Sequence, residues 1–214
     1  MAAIRGAFLK YDAGLLGFAP NLVVFQFNPD SVTRSPALVF IPPESHGEGQ
    51  KEIGAQPGEP SEGISFSLRL DATDQLASGD EVTAASGILP ALSALELLLY
   101  PKSSLTIDLF GGGSKPALHP PEKLGAVLFF WGQYRVMPVQ VTSLSITETE
   151  YDELLTPIRA EVSVNLQVLT PRQLGDSAPL LKGAYKYTQG VKEVMAAINL
   201  LGTPDVITKV LTSF

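Results

Sequence analysis

The chain of 214 residues has no cysteine, a single tryptophan and two histidines. Without thiols it has no disulfides, no thiolate metal sites and no cysteine nucleophile. At this length a compact fold hides roughly 70% of the surface exposed by its unfolded chain, so it needs neither disulfide nor metal to hold together. Charge is also scarce. Only 17% of residues are charged, 15 Lys and Arg against 22 Asp and Glu, for a net charge of −7. No run of cations is present to track phosphates, so nucleic acid is not an expected partner. Apolar stretches such as Leu95 to Tyr100, interrupted by Glu96, fall far short of the ~20 residues of a membrane span, so no membrane insertion is expected. The opening Met1-Ala2-Ala3-Ile4-Arg5-Gly6 leads into alternation rather than an apolar core with a cleavage site, which points to a chain made in the cytoplasm. A hydrophobic content of 45% is high for a solitary protein and suggests surface shared with other chains.

The dominant pattern is alternation. Ile64, Phe66, Leu68 and Leu70 alternate with Ser65, Ser67 and Arg69, and Ala160, Val162, Val164, Leu166 and Val168 alternate with Glu161, Ser163, Asn165 and Gln167. Each segment has the period-2 signature of a strand with one dry and one wet face. Val23, Phe25 and Phe27 predict a third strand, ended by Asn28-Pro29. Val127–Trp131 and Arg135–Ile146 flank Gly132-Gln133 and predict a hairpin. In its second arm the apolar phase slips between Val141 and Leu144, which predicts a bulge near Thr142-Ser143. Ile88, Leu92, Leu95 and Leu99 predict one short helix between the strands, with Pro90 in its first turn and Pro101 ending it.

Two segments differ in character. Pro42 to Gly63 holds nine Gly or Pro among 22 residues, with five Glu against one Lys, and reads as an extended acidic loop that needs a partner to become ordered. At the other end, Leu180, Ala184, Tyr187, Val191, Val194, Ile198 and Leu201 repeat every seven residues and predict a helix with a narrow apolar seam. The domain reading is therefore a β domain over 1–172 carrying the 42–63 loop, followed by a helical appendage over 173–214. The appendage seam packs either on the chain's own β body or on a partner.

No arrangement of residues for catalysis stands out. His46 and His119 lie in proline-rich loops without ligand spacing to each other, so no metal site is expected. Gly111-Gly112-Gly113-Ser114-Lys115 lacks the residue order of a phosphate-binding loop and precedes Pro116 rather than a helix. Gly175-Asp176-Ser177 has a hydroxyl but no histidine downstream to act as its base, so an esterase built on Ser177 is the weakest reading and Asp176 or Ser177 reads as a helix cap. Asp71, Asp74, Asp80 and Glu81 do not alternate as a calcium loop requires and read as a solvated turn. Trp131 and Tyr134 read as a packing pair across the hairpin turn. No catalytic, cofactor-binding or metal-binding residue is assigned.

Six blocks in order carry a resemblance: Phe25-Gln26-Phe27-Asn28-Pro29, Leu68-Arg69-Leu70-Asp71-Ala72, the helix from Gly87 to Pro101, Leu128-Phe129-Phe130-Trp131-Gly132, Val141-Thr142-Ser143-Leu144-Ser145-Ile146, and Pro157-Ile158-Arg159-Ala160-Glu161-Val162. From about Arg5 to Pro171 the chain resembles the tube-type protein of contractile injection systems, phage-tail-like particles that include antifeeding prophages, virulence cassettes and R-type pyocin relatives. The resemblance implies a mainly β (α+β) fold, a tail-tube-like β-sandwich or barrel with one flanking helix. It also implies a non-enzymatic baseplate component without cofactor, the tube initiator or adaptor ring that links the spike hub to the inner tube. Its expected partners are its own copies in a homohexamer, the inner tube protein, the spike or hub protein and other baseplate subunits. Many relatives carry a C-terminal LysM module; here the segment after Pro171 is too short for one and holds the seam helix instead, so no cell-wall binding is expected. Within the ring, Ser65, Ser67, Ser163, Asn165 and Gln167 are expected on a wet or lumen-facing side, and the 42–63 loop is expected to reach an adjacent subunit. The alternative from another class is a small-ligand or carbohydrate-binding β module using Trp131 and Tyr134 beside the Gly111–Pro121 loop.

Overall fold

The computed structural model describes residues 4–10, 22–38, 40–41, 56–57, 60–99, 126–174 and 178–201. Their fold is mostly β. Seven strands form one antiparallel sheet in the order β2-β1-β7-β8-β9-β6-β3, from β1 (Ala7–Lys10), β2 (Leu22–Val24), β3 (Thr33–Ala37), β6 (Ser61–Asp71), β7 (Val127–Phe130), β8 (Val136–Tyr151) and β9 (Pro157–Val168). A two-stranded ribbon, β4 (Phe40–Ile41) with β5 (Gln56–Pro57), stands apart. The helices are α1 (Thr73–Ala77), α2 (Glu81–Ser86), α3 (Leu89–Leu99), α4 (Pro171–Leu174) and α5 (Pro179–Leu201).

The two long alternating segments are neighbours. β6 and β9 pair from Gly63↔Gln167 to Asp71↔Arg159, so their dry residues share one face and their wet residues the other. Ile64, Phe66, Leu68, Val162, Val164 and Leu166 are buried on the dry side. The sheet curls strongly. Phe8 on β1 and Phe66 on β6 are four strands apart in the sheet order, yet their rings stack at 6.2 Å, and both also contact Phe129. Phe25 completes this aromatic core, edge-on to Phe8 at 5.1 Å. α3 closes the open side with Leu92, Leu95 and Leu98 buried in the same core.

The hairpin and its bulge are as the sequence predicts. β7 and β8 join through a turn in which Gly132 has φ +71°, and the register between β8 and β9 shifts between Val141 and Ser143, with a second irregularity near Glu148 to Glu150.

Other expectations need correction. The third strand stops at Val24. Phe25 stays buried and its amide donates to Gly6 O at 2.9 Å, but Phe27 is exposed. The 42–63 loop ends earlier than read, because Ser61, Glu62 and Gly63 already belong to β6 and pair with β3, and Gln56–Pro57 form β5. Residues 42–55 and 58–59 of it lie outside the described residues, as do His46, His119, the Gly111–Pro121 loop and Gly175-Asp176-Ser177. Nor is there a single helix between the strands. The stretch read as a solvated acidic turn folds into α1 and α2, with Asp80 capping α2 by accepting from Thr83 N at 3.0 Å. Gly87 then turns the chain at φ +53°, and a Cβ there would sit 2.2 Å from Pro157 O, so only glycine fits.

The C-terminal helix forms, and of its apolar seam Ala184 packs on the sheet while most of the rest faces outwards. Leu181 is buried with Ala178 and Leu128 in a second small core on the outer side of β7, and Thr188 is buried against β8. The Thr188 hydroxyl donates to Val136 O at 2.7 Å and accepts from Val136 N at 3.1 Å, standing in for a neighbouring strand. Lys192 reaches the buried carboxylate of Glu62 at 3.1 Å, and Arg34 Nε donates to the same carboxylate at 2.6 Å. The seam residues Leu180, Tyr187, Val194 and Ile198 are left exposed.

Candidate assembly surface

Strand register divides the sheet lengthwise into two unlike halves. At the end where β8 begins, β7 pairs with β8 over Val136–Val139, and β3 pairs with β6 over Ser61–Ser65. Beyond those residues the sheet narrows to three strands: β8 from Gln140, β9, and β6 from Phe66. Among the described residues, no strand pairs with the outer edge of either β8 or β6 in this half. Two edges that are unpaired among the described residues thus lie at the same level on opposite sides of one three-stranded block. β8 and β6 are both antiparallel to β9 and so run in the same direction.

The edges differ in charge. Along β8 the side chains from Gln140 to Tyr151 include Glu148 and Glu150 and no cation. The β6 edge opens into a cleft of about 440 Å³ lined by Arg5, Gln26, Asn28, Asp30, Arg69 and Glu161, among others. Residues 26–28 hold the cleft open: Gln26 Nε2 donates to Asp71 O and its Oε1 accepts from Asp71 N, while Asn28 accepts from Gly6 N and donates to Ile4 O, both at 2.9 Å. Side-chain amides take the place of a strand at the tip of β6, and Ser67, Leu68 and Arg69 line the cleft.

The wet face of the block is polar and nearly uncharged. Ser65, Asn165 and Ser143 form one cross-strand row, Ser67, Ser163 and Ser145 the next, and Arg69, Glu161 and Thr147 the third. The two seryl oxygens of Ser67 and Ser163 are 3.3 Å apart, and Asn165 Nδ2 donates to Ser143 Oγ at 3.0 Å. Gln167 Nε2 donates to Ser61 Oγ at 3.0 Å. The five residues expected on a wet side therefore lie on one face.

At the far tip of the block Arg159 ties all three strands together. Its Nε donates to Asp71 Oδ2 at 2.8 Å, Nη1 to Glu150 Oε1 at 2.6 Å and Nη2 to Thr73 Oγ1 at 3.0 Å. Burial alone would raise the Asp71 pKa, but the Thr73 hydroxyl and amide, together with the Arg159 guanidinium, outweigh it and hold the carboxyl below its ordinary 3.8. Asp71 and Asp74, once read as part of an acidic turn, thus serve strand tethering and a helix first turn.

The pair Trp131 and Tyr134 is divided. Trp131 stacks on Phe129 at 6.1 Å, whereas Tyr134 faces α5, where Tyr187 Oη donates to Gln133 O at 2.9 Å. Among the described residues no group of three His, Asp or Glu side chains is placed to hold a metal ion, and no helix is long and apolar enough to cross a membrane. No protein-family model matches the chain, and no curated protein matches its sequence. Sequence reasoning missed the free edges, because alternation identifies a strand but not which of its sides has a neighbour.

Proposed function

We propose that the chain is a structural, non-enzymatic ring subunit of a contractile injection particle, the tube initiator or baseplate adaptor between spike hub and inner tube. The observation that carries this reading is the three-stranded block, neither edge of which is paired among the described residues. A strand edge presents unpaired backbone donors and acceptors, and soluble proteins ordinarily cover or guard it. One free edge favours a twofold pair. Two unlike free edges on opposite sides favour a head-to-tail contact, which closes into a ring when the rotation allows. The β8 edge of one copy would enter the β6 cleft of the next as a parallel pair, bringing Glu148 towards Arg5 and Arg69, which share the cleft with Asp30 and Glu161.

In such a ring the Ser, Asn and Gln rows line the inner wall. Small polar side chains with few charges suit a lumen through which cargo must slide without sticking. The six ordered sequence blocks support the same assignment, since five of them fall on β6, α3, β7, β8 and β9. The ring works by geometry: it fixes symmetry and bore, and presents one face to the hub and the other to tube subunits.

The test is native mass spectrometry and electron microscopy of the full chain with the spike and tube proteins made alongside it. The reading predicts six-fold rings of the 22.8 kDa subunit at the junction of spike and tube. A chain that stays solitary in the presence of those proteins rejects it.

A further inference from the structure

Thr188 and Lys192 anchor α5 to β8 and to Glu62 of β6. The eight residues from Lys192 to Asn199 are all exposed. Eight residues make more than two helical turns, so no side of this stretch is buried among the described residues. Its surface is nevertheless not polar all round. Val194, Met195 and Ile198 lie exposed on one stripe, and the half-buried Val191 continues it one turn earlier. An open groove of about 420 Å³ runs along the stripe, lined by Tyr134, Tyr187, Gly190, Val191, Val194 and Met195. A Cβ built on Gly190 would meet nothing within 4 Å, so the groove reaches the helix backbone. Such a stripe costs free energy until something covers it.

The chain that follows α5 carries a matching stripe. Residues 202–214 lie outside the described residues, and their sequence has the punctuation of a second helix. Gly202 stands just past the end of α5, where glycine is favoured, and Thr203-Pro204 has the order of a cap and a first helical position. At helical spacing Ile207, Leu211 and Phe214 share one face with Val210 beside them, while Asp205, Lys209 and Thr212 fall opposite. Connections this short join antiparallel neighbours. In an antiparallel hairpin, positions equally far from the turn meet. Ile198 then meets Ile207, Met195 meets Val210, Val194 meets Leu211 and Val191 meets Phe214. The four-then-three spacing away from the turn is the same on both arms. A helix over 204–214 is about 16 Å long, which carries it back along α5 as far as the groove.

We infer that residues 204–214 pack as an antiparallel helix on α5 of their own chain and fill the groove between Tyr187 and Ile198. Three features select this occupant: the mirrored apolar spacing, the reach, and a turn that holds the segment beside its own groove at a high effective concentration. The groove becomes the seam of a helical hairpin, whose outer side carries Asp205, Lys209 and Thr212. This goes beyond the ring reading and is independent of it, since neither edge of the three-stranded block takes part.

The experiment is disulfide trapping in the full chain, which has no cysteine of its own. Val194→Cys combined with Leu211→Cys should oxidise within the monomer, seen by intact mass and by mobility on a non-reducing gel, whereas Val194→Cys with Lys209→Cys should stay reduced. Hydrogen exchange supplies a second readout. Leu211→Asp should speed exchange about tenfold at the amides from Val194 to Ile198 and leave those of β8 and β9 unchanged, which separates loss of the hairpin from loss of the fold. Disulfides that form only between molecules, rising with concentration, would assign the groove to a second copy. No disulfide, with exchange in Leu211→Asp equal to that of the wild type, would leave the groove to another protein. Either result overturns the inference, and neither bears on ring closure.

Discussion

The two halves of the sheet are made of the same strands under opposite constraints. Where β7 flanks it, both faces are covered: Val127 and Phe129 point into the aromatic core while Leu128 meets Leu181 of α5. β7 is accordingly apolar at every position. Beyond Gln140 and Phe66 the strands bury one face, expose Ser, Asn and Thr on the other, and leave both edges unpaired. The contrast teaches where stability and assembly reside. Folding energy concentrates in the curled half, and the three-stranded half is a rigid surface whose remaining hydrogen-bonding capacity is directed outwards.

The largest expected effect lies in the curled half. Phe129→Ala removes a fully buried ring that contacts Phe8, Phe25, Phe66 and Trp131, and should lower unfolding free energy by about 3–5 kcal/mol in a urea titration. Ser163→Ala, on the same sheet but facing water in the open half, should stay within about 0.5 kcal/mol. Comparable losses at both positions would erase the distinction between the halves.

A smaller effect is expected at the tip of the open half. Gly87→Ala forces a Cβ against Pro157 O in a left-handed conformation, and should cost about 1–3 kcal/mol. Hydrogen exchange should rise first at Ile88 N, which donates to Pro157 O at 3.0 Å, and at Ala72 N, which donates to Ile158 O at 3.0 Å. Uniform protection throughout would show that the tip is not a local unit.

The smallest effect is pH-dependent. The Asp71 pKa is depressed in the folded chain, so its contribution is complete above the ordinary 3.8 and disappears as pH falls through the lower folded value. Stability of the wild type should therefore decline more steeply below about pH 4 than that of Asp71→Asn, followed by thermal denaturation. Parallel curves would remove Asp71 from the strand tether.

Much of the fold was legible because water marks every second residue of a half-exposed strand. The alternations in β6 and β9, the β7–β8 hairpin and the bulge at Val141 to Ser143 all leave that trace. α1 and α2 were not legible as helices, since five or six residues are too few to show a period. The Asp80 to Thr83 cap was the available signal. The seam of α5 was legible, but the face by which the helix packs was not. A seven-residue apolar repeat shows that a helix has a sticky stripe, but the face that holds it to the sheet joins Leu181 and Ala184 to Thr188 and Lys192, polar residues whose partners are a backbone unit at Val136 and the carboxylate of Glu62. Such partners are visible only after folding. The free edges depend on which strand stops first, and strand lengths are what periodicity reports least well.

The central claim is that the β8 edge of one copy meets the β6 edge of the next. A chain without cysteine makes the test clean. Cysteines placed singly along β8 at Ser145, Thr147 or Thr149 and along β6 at Ser67 or Arg69 are separated within one molecule by β9. That puts their Cα atoms about 10 Å apart, beyond the ~7 Å limit for a disulfide. Under mild oxidation, at least one pairing of a β8 with a β6 position should yield a ladder of covalent oligomers ending at six, while single-cysteine controls stop at dimers. Monomer throughout, from every pairing and in the presence of the spike and tube proteins, would contradict the claim.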